Sequence, residues 1–267
     1  MKMTRIACIA LLAAILGPYS VGAQSSLKGM SANGSTGLYS IPSGRVGWEQ
    51  SSNLALDLGY HAVIHDGKAT HIPKAALSMF KLVEFSAALD IQPENYQDKA
   101  TDFITGAKLQ FPLKKTALAL GGNFQALNIA GSESYRYIAG QIYAAVTYSG
   151  EFFNVPAETT VVFGKTFREN YSDSNIDFGM GFDLILLPKY LGNIFHWVTD
   201  FSNFSYSVES FSADAWYRGV LNTGLRIDLS VIPFLSKFKF AVDILITDAF
   251  DKNRAFSIGT VFGIPFF

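Results

Sequence analysis

The chain has 267 residues, a formal net charge of −1, and 16% charged against 49% apolar residues. Soluble domains carry about 25% charged residues, so this chain is unusually oily, and its balanced charge gives no argument for nucleic acid or an acidic partner. The only cysteine is Cys8. It lies in the N-terminal apolar run, so disulfides, thiolate metal sites and a cysteine nucleophile are removed from everything downstream.

In chain order, Lys2 and Arg5 precede an uncharged apolar run from Ile6 to Leu16, followed by Pro18 and the small residues Gly22 and Ala23. A basic start, a short apolar core and a small-residue exit predict a secretory signal peptide over residues 1–23. The run is too short for a membrane-spanning helix, which needs roughly 20 residues. Cys8 sits at the front of the apolar core, not at its exit, which excludes a lipoprotein signal. Residues 24–53 are rich in Ser and Gly and read as an irregular N-terminal arm or a partial plug.

From Leu54 onward the pattern has period two. Leu54, Leu56, Leu58, Tyr60, Ala62 and Ile64 oppose Ala55, Asp57, Gly59 and His61. Val83, Phe85, Ala87, Leu89 and Ile91 oppose Glu84, Ser86, Ala88 and Asp90. Phe103, Ala107, Leu109 and Phe111 oppose Gly106, Lys108 and Gln110. Ile176 to Leu186 alternates against Asp177, Gly179, Gly181 and Asp183. Leu221 to Leu229 alternates against Asn222, Gly224, Arg226 and Asp228. Phe238 to Ile246 alternates against Lys239, Ala241 and Asp243. Such segments approach the 9–11 residues a tilted strand needs to cross a membrane. They exceed the usual 5–6 of soluble sheets.

The connections alternate too. Phe80 to Leu82, Pro112 to Lys115 and Pro233 to Ser236 are tight and apolar or Pro-marked. His65 to His71, Gln92 to Thr101, Asn128 to Ser134, Arg168 to Asn175 and Phe250 to Arg254 are more polar. Short turns at one rim and longer loops at the other are the asymmetry of outer-membrane barrels. The sequence therefore predicts an all-β, transmembrane, up-and-down antiparallel β-barrel over residues 54–267. It has about twelve strands; ten is the alternative, because the alternation weakens between Leu187 and Ser210. Parity slips there between Trp197 and Tyr206, where a bulge or a short periplasmic helix is expected.

The last segment places Phe256, Ile258, Thr260, Phe262, Ile264 and Phe266 on one face and stops at Phe267. An amphipathic final strand ending in Phe resembles the assembly signal of outer-membrane barrels. Phe262, Ile264, Phe266 and Phe267 carry it; Pro265 departs from the usual pattern. The resemblance implies the cell outer membrane, its lipid, and the barrel assembly machinery as surroundings and partners. A shorter likeness lies at Gly37 to Arg45 and at Asp200 to Tyr206, which are similar to segments of the YjbH-like barrel proteins linked to exopolysaccharide export.

Charges cannot face lipid near the midplane without a cost of several kcal/mol. Asp57, His61, Glu84, Asp90, Lys108, Asp177, Asp183, Arg226, Asp228, Lys239 and Asp243 are therefore expected on the inner face and are the pore-lining candidates. Asn123, Gln125, Gln141 and Asn222 accompany them. Either they fill a narrow lumen with ion pairs, or they line a wet, mildly acidic pore. His61 shares a face with Asp57, and His65 and His71 bracket a loop. Neither arrangement has the further groups that catalysis or a metal site requires. The function read from the sequence is thus a small porin or passive channel for small polar solutes, without cofactor, metal, catalysis or nucleic acid. A non-conducting envelope scaffold, or a partner of a polysaccharide export system, is the alternative.

Overall fold

Alternation becomes strand along nearly the whole chain from Leu54. The twelve strands are β1 (Leu54–His65), β2 (Lys68–Met79), β3 (Val83–Ile91), β4 (Thr101–Pro112), β5 (Thr116–Leu127) and β6 (Tyr137–Phe152), then β7 (Val155–Arg168), β8 (Asp177–Ile185), β9 (Phe195–Ser202), β10 (Val220–Asp228), β11 (Lys239–Thr247) and β12 (Ala255–Pro265). The structure, a computed structural model, describes residues 29–49, 52–93, 101–129, 136–169, 175–203, 219–252 and 254–266. The signal peptide expected over residues 1–23 lies outside them, as does Tyr206.

Each strand pairs antiparallel with the next, and β12 pairs with β1 to close the barrel. Ala55 stands opposite Pro265 and Ile64 opposite Phe256, and the Phe266 N–H donates to the Leu54 carbonyl at 2.8 Å. Closure leaves none of the described strands with an unpaired edge. The architecture is the expected all-β up-and-down barrel, with twelve strands and not ten.

The outer surface carries Leu58, Phe85, Leu120, Ile142, Phe163, Met180, Phe201, Ile246 and Ile258, all exposed. An apolar surface that surrounds the whole molecule is foreign to water-soluble proteins. It is what lipid requires of a barrel, whose neighbouring strands pair their main-chain polar groups with one another. No described helix is long and apolar enough to cross a membrane.

The connections follow the alternation of rims. One rim holds residues 80–82, 113–115, 153–154, 186–194 and 229–238, together with the start of β1 and the end of β12. At this proximal rim a one-turn helix, α1 (Pro188–Leu191), interrupts the chain where the sequence pattern weakens. The opposite, distal rim holds the other connections. One of these is shorter than expected. The predicted His65 to His71 loop is a two-residue turn of Asp66 and Gly67, with φ of 48° and 71°, and His71 belongs to β2. An Asp-Gly pair adopts left-handed φ at both central positions, which matches the twist of the flanking strands. The Tyr60 hydroxyl lies 2.5 Å from His71 Nδ1 on the outer face, so His65 and His71 do not form a pair.

Candidate functional site in the barrel lumen

Every described residue from Gly29 to Val46 is buried, and Gly47, Trp48 and Glu49 are partly buried. This arm folds as two consecutive tight turns inside the barrel. Met30 bridges to Thr36 and Gly37 bridges to Pro42. Its apolar residues Ala32, Leu38, Tyr39 and Ile41 pack among Val63, Ile72, Ile104, Tyr143, Val162, Val198 and Leu245 of the inner wall. Burial, with Asp90 nearby, pushes the Tyr39 hydroxyl above the ordinary phenol range, so it stays protonated.

Small residues make this approach possible. At Gly34, φ is +91° and an added Cβ would meet the Ala87 backbone. At Gly44 it would collide with the Ala117 carbonyl. On the wall, Gly179 and Gly181 leave room for Ile41 and Leu38.

The arm's main chain is held by wall side chains. Glu84 on β3 accepts from Thr36 N–H at 2.8 Å, Thr36 Oγ1 at 2.7 Å and Gly47 N–H at 2.9 Å. Lys108 on β4 donates to the Thr36 and Arg45 carbonyls at 3.0 and 2.7 Å and pairs with Glu84 at 3.0 Å. Asp200 on β9 accepts from Tyr39 N–H, Ser40 N–H and Ser40 Oγ at 2.8, 3.1 and 2.6 Å. Lys74 on β2 donates to the Met30 and Ser31 carbonyls, each at 2.9 Å. Thr147 on β6 accepts from Gly44 N–H, and Gln110 on β4 from Val46 N–H. Arg45 reaches from the arm to Glu158 on β7 at 3.3 Å and to Ser149 Oγ on β6 at 2.7 Å. Hydrogen bonds to charged groups contribute about 1.5–3 kcal/mol each, so together they fix one arm conformation.

The candidate charges named from the sequence all lie buried on the inner face. Asp57 pairs with Lys239 at 2.6 Å and accepts from Trp48 Nε1 at 2.7 Å. It does not pair with His61, whose Nδ1 accepts from Lys74 at 2.7 Å and whose Nε2 lies 3.6 Å from Asp243. Arg226 binds Asp243 through Nε and Nη2 at 2.7 and 2.9 Å and Asp183 through Nη1 at 3.1 Å. His196 Nδ1 lies 2.5 Å from Asp183, and its Nε2 lies 3.0 Å from the Asn193 carbonyl. Both imidazole nitrogens face acceptors, so this Asp–His pair has no nitrogen left to activate a nucleophile.

The remaining candidates are more dispersed. Asp177 accepts from Thr166 at 2.6 Å. Asp228 accepts from Ser230 N–H at 2.9 Å and caps a 3-10 turn over Leu229–Val231. Asp90 stands opposite Asp102 across β3 and β4. Asn123, Gln141 and Thr166 form a hydrogen-bonded row, and Asn222 donates to Asp200 at 2.7 Å. Gln125 is fully buried. Phe262 and Phe266 are exposed on or just beyond β12, with Ile264 partly exposed between them; Phe267 lies outside the described residues.

Lys74, Asp102, Glu158, His196 and Asp200 were not among the inner-face candidates read from the sequence. Lys74 follows Pro73, which disguises β2 as a non-strand. Asp200 and His196 fall where the alternation weakens beside α1. Same-face neighbours Thr70, Ile72 and Ala76 carried the signal that places Lys74 inside.

No family model matches this chain, and no curated protein matches it in sequence. Solved structures do. The KdgM porin aligns at a TM-score of 0.50 and 8% identity, over 77% of this chain and 98% of that one. The same values hold for the KdgM porin in complex with disordered oligogalacturonate. The outer membrane protein Omp33 of Acinetobacter baumannii aligns at 0.45 and 10% identity, over 81% and 100% of the two chains. At such identities the likeness is one of fold, and the fold is that of a bacterial outer-membrane β-barrel.

Proposed function

We propose that this chain is an outer-membrane channel of the porin kind for small polar solutes, closed in the described conformation by its own N-terminal arm. The observation that carries this reading is the arm itself. Two buried turns fill the lumen, and wall side chains from β2, β3, β4, β6 and β9 hold their main chain. Short turns belong at the periplasmic rim of such barrels. On that orientation the start of β1 is periplasmic, and the arm enters the lumen from the periplasm. Buried carboxylates outnumber buried Lys and Arg on the inner strands, so the passage is mildly acidic once the arm withdraws.

A second reading has support of its own. A filled lumen suits a non-conducting scaffold, and the similarity of Gly37 to Arg45 and Asp200 to Tyr206 to YjbH-like barrels points to a partner of polysaccharide export. Planar-bilayer recording of the refolded full chain separates the two. Wild-type protein should be mostly closed with rare openings. Gly44→Val, whose side chain would collide with the Ala117 carbonyl, should open more often. Steady large conductance in the wild type would overturn closure by the arm. Silence in both proteins, with the arm shown to be displaced in Gly44→Val, would establish the scaffold.

A further inference from the structure

The contacts that hold the arm have a chemistry of their own. Glu84 takes the N–H and the hydroxyl of one residue, Thr36, on its two oxygens, at 2.8 and 2.7 Å. Asp200 does the same with Ser40, taking N–H on Oδ2 at 3.1 Å and the hydroxyl on Oδ1 at 2.6 Å. Each carboxylate is thus a fork that grips two adjacent donors. Beside each fork stands a donor. Lys108 reaches the Thr36 carbonyl at 3.0 Å, and Asn222 Nδ2 lies 2.7 Å from Asp200.

We infer that these two forks are a binding site for a neutral polyhydroxylated solute, a short oligosaccharide whose neighbouring hydroxyls replace the N–H and O–H pairs of Thr36 and Ser40. The inference rests on the reading of the chain as an arm-closed channel and names the solute class of that channel. The forks sit on strands β3 and β9, so they stay in place when the arm leaves. A buried carboxylate stripped of its donors is costly, and the incoming solute must restore them. Vicinal hydroxyls present two adjacent donors and also accept from Lys108 and Asn222. An anionic sugar such as an oligogalacturonate has hydroxyl donors as well, but its carboxylates meet two buried carboxylates and are repelled. An apolar solute leaves both forks unsatisfied. Arm and sugar compete for the same oxygens, so binding the sugar displaces the arm.

Trp48 reports the arm's position. It donates to Asp57, and the Lys239 ammonium lies 5.4 Å from its ring. In full-length protein carrying Trp197→Phe and Trp216→Phe, Trp48 is the only tryptophan, and acrylamide quenching measures its exposure. Maltotriose should raise the quenching saturably, while an oligogalacturonate of equal length should not. Ser40→Ala removes a competing donor from the arm and should lower the half-saturating maltotriose concentration. Asp200→Asn loosens arm and sugar together, so its effect on the sugar is read in the Gly44→Val background, where the arm no longer covers the fork. There it should raise the maltotriose concentration that half-blocks the conductance by about tenfold or more, the loss of a hydrogen bond to a charged group, which a merely structural role for Asp200 does not produce. Heat-modifiable gel migration shows that each variant is folded.

If maltotriose changes nothing at high millimolar concentration while Gly44→Val exposes Trp48 and conducts, the sugar site is refuted and the channel stands. An equal response to the oligogalacturonate also refutes it. If Gly44→Val neither exposes Trp48 nor conducts, the channel reading itself has failed.

Discussion

Replacing Arg226 with methionine should cost the barrel about 3–5 kcal/mol of unfolding free energy, the range for removing one partner of a buried ion pair. The guanidinium is fully buried and makes three hydrogen bonds, two to Asp243 and one to Asp183. Methionine fills much of the volume but satisfies neither carboxylate. His196 remains beside Asp183, but the nearest imidazole nitrogen to Asp243 is 3.6 Å away, too long for a hydrogen bond. The arm adds to the isolation, because Gly29 lies so close to the guanidinium that an added Cβ would collide with it. Asp243→Asn should cost less, about 1.5–3 kcal/mol, since Arg226 keeps Asp183. The triple change Arg226→Met, Asp183→Asn and Asp243→Asn should recover much of the loss, because no carboxylate of the cluster is then left without its cation. Urea unfolding of the protein refolded in lipid vesicles measures all three. In a wet lumen these pairs would behave like surface ones, worth about 0–1 kcal/mol. A cost below about 1 kcal/mol for Arg226→Met would therefore refute the sealed lumen.

Protein in cells should fractionate with the outer membrane and migrate faster on gels before heating than after; a soluble product that stays folded without detergent would contradict the barrel. Ile244→Arg should destabilise by about 2–4 kcal/mol if the site lies near the bilayer midplane, and a variant as stable as wild type would place that face away from lipid. Deleting Phe266 and Phe267 should abolish assembly in cells while leaving refolding in detergent partly intact; normal assembly would put the signal elsewhere. Openings of Gly44→Val should favour cations, with a preference that weakens as salt rises and screening lengths shorten.

The wall was legible because its logic is local. In β3, Val83, Phe85 and Leu89 face out and Glu84, Ser86 and Asp90 face in, and that alternation needs only the neighbouring residue to be read. It fails where local chemistry competes. Pro73 hides β2, and the turn through α1 blurs the start of β9. Alternation also places a charge on the inner side without saying what lies there. Asp183 and Asp243 look, from sequence, like two of several carboxylates facing a pore. In the structure one arginine, Arg226, lies between them and binds both.

The arm was only half legible, for the converse reason: its composition left a loose arm and a partial plug both open, and its burial decides for the plug. Ser, Gly and Thr without periodicity are the marks of a loose segment, and nothing within the arm contradicts that. Its donors find acceptors far away along the chain. Thr36 meets Glu84 across 48 residues, and Tyr39 meets Asp200 across 161. The same composition that reads as flexible is what a close-fitting insert needs. Small side chains let the main chain approach the wall, as Gly34 does at Ala87 and Gly44 at Ala117. Main-chain N–H and C=O groups then become the complement of the buried charges. The lumen's Asp, Glu and Lys side chains and the arm's bare backbone are thus two halves of one polar core. Either half alone is ambiguous: a wet acidic pore or a lumen filled with ion pairs, a loose arm or a partial plug. Their joint burial is stable only while the donors and acceptors match, and a solute that matches them as well has a way in.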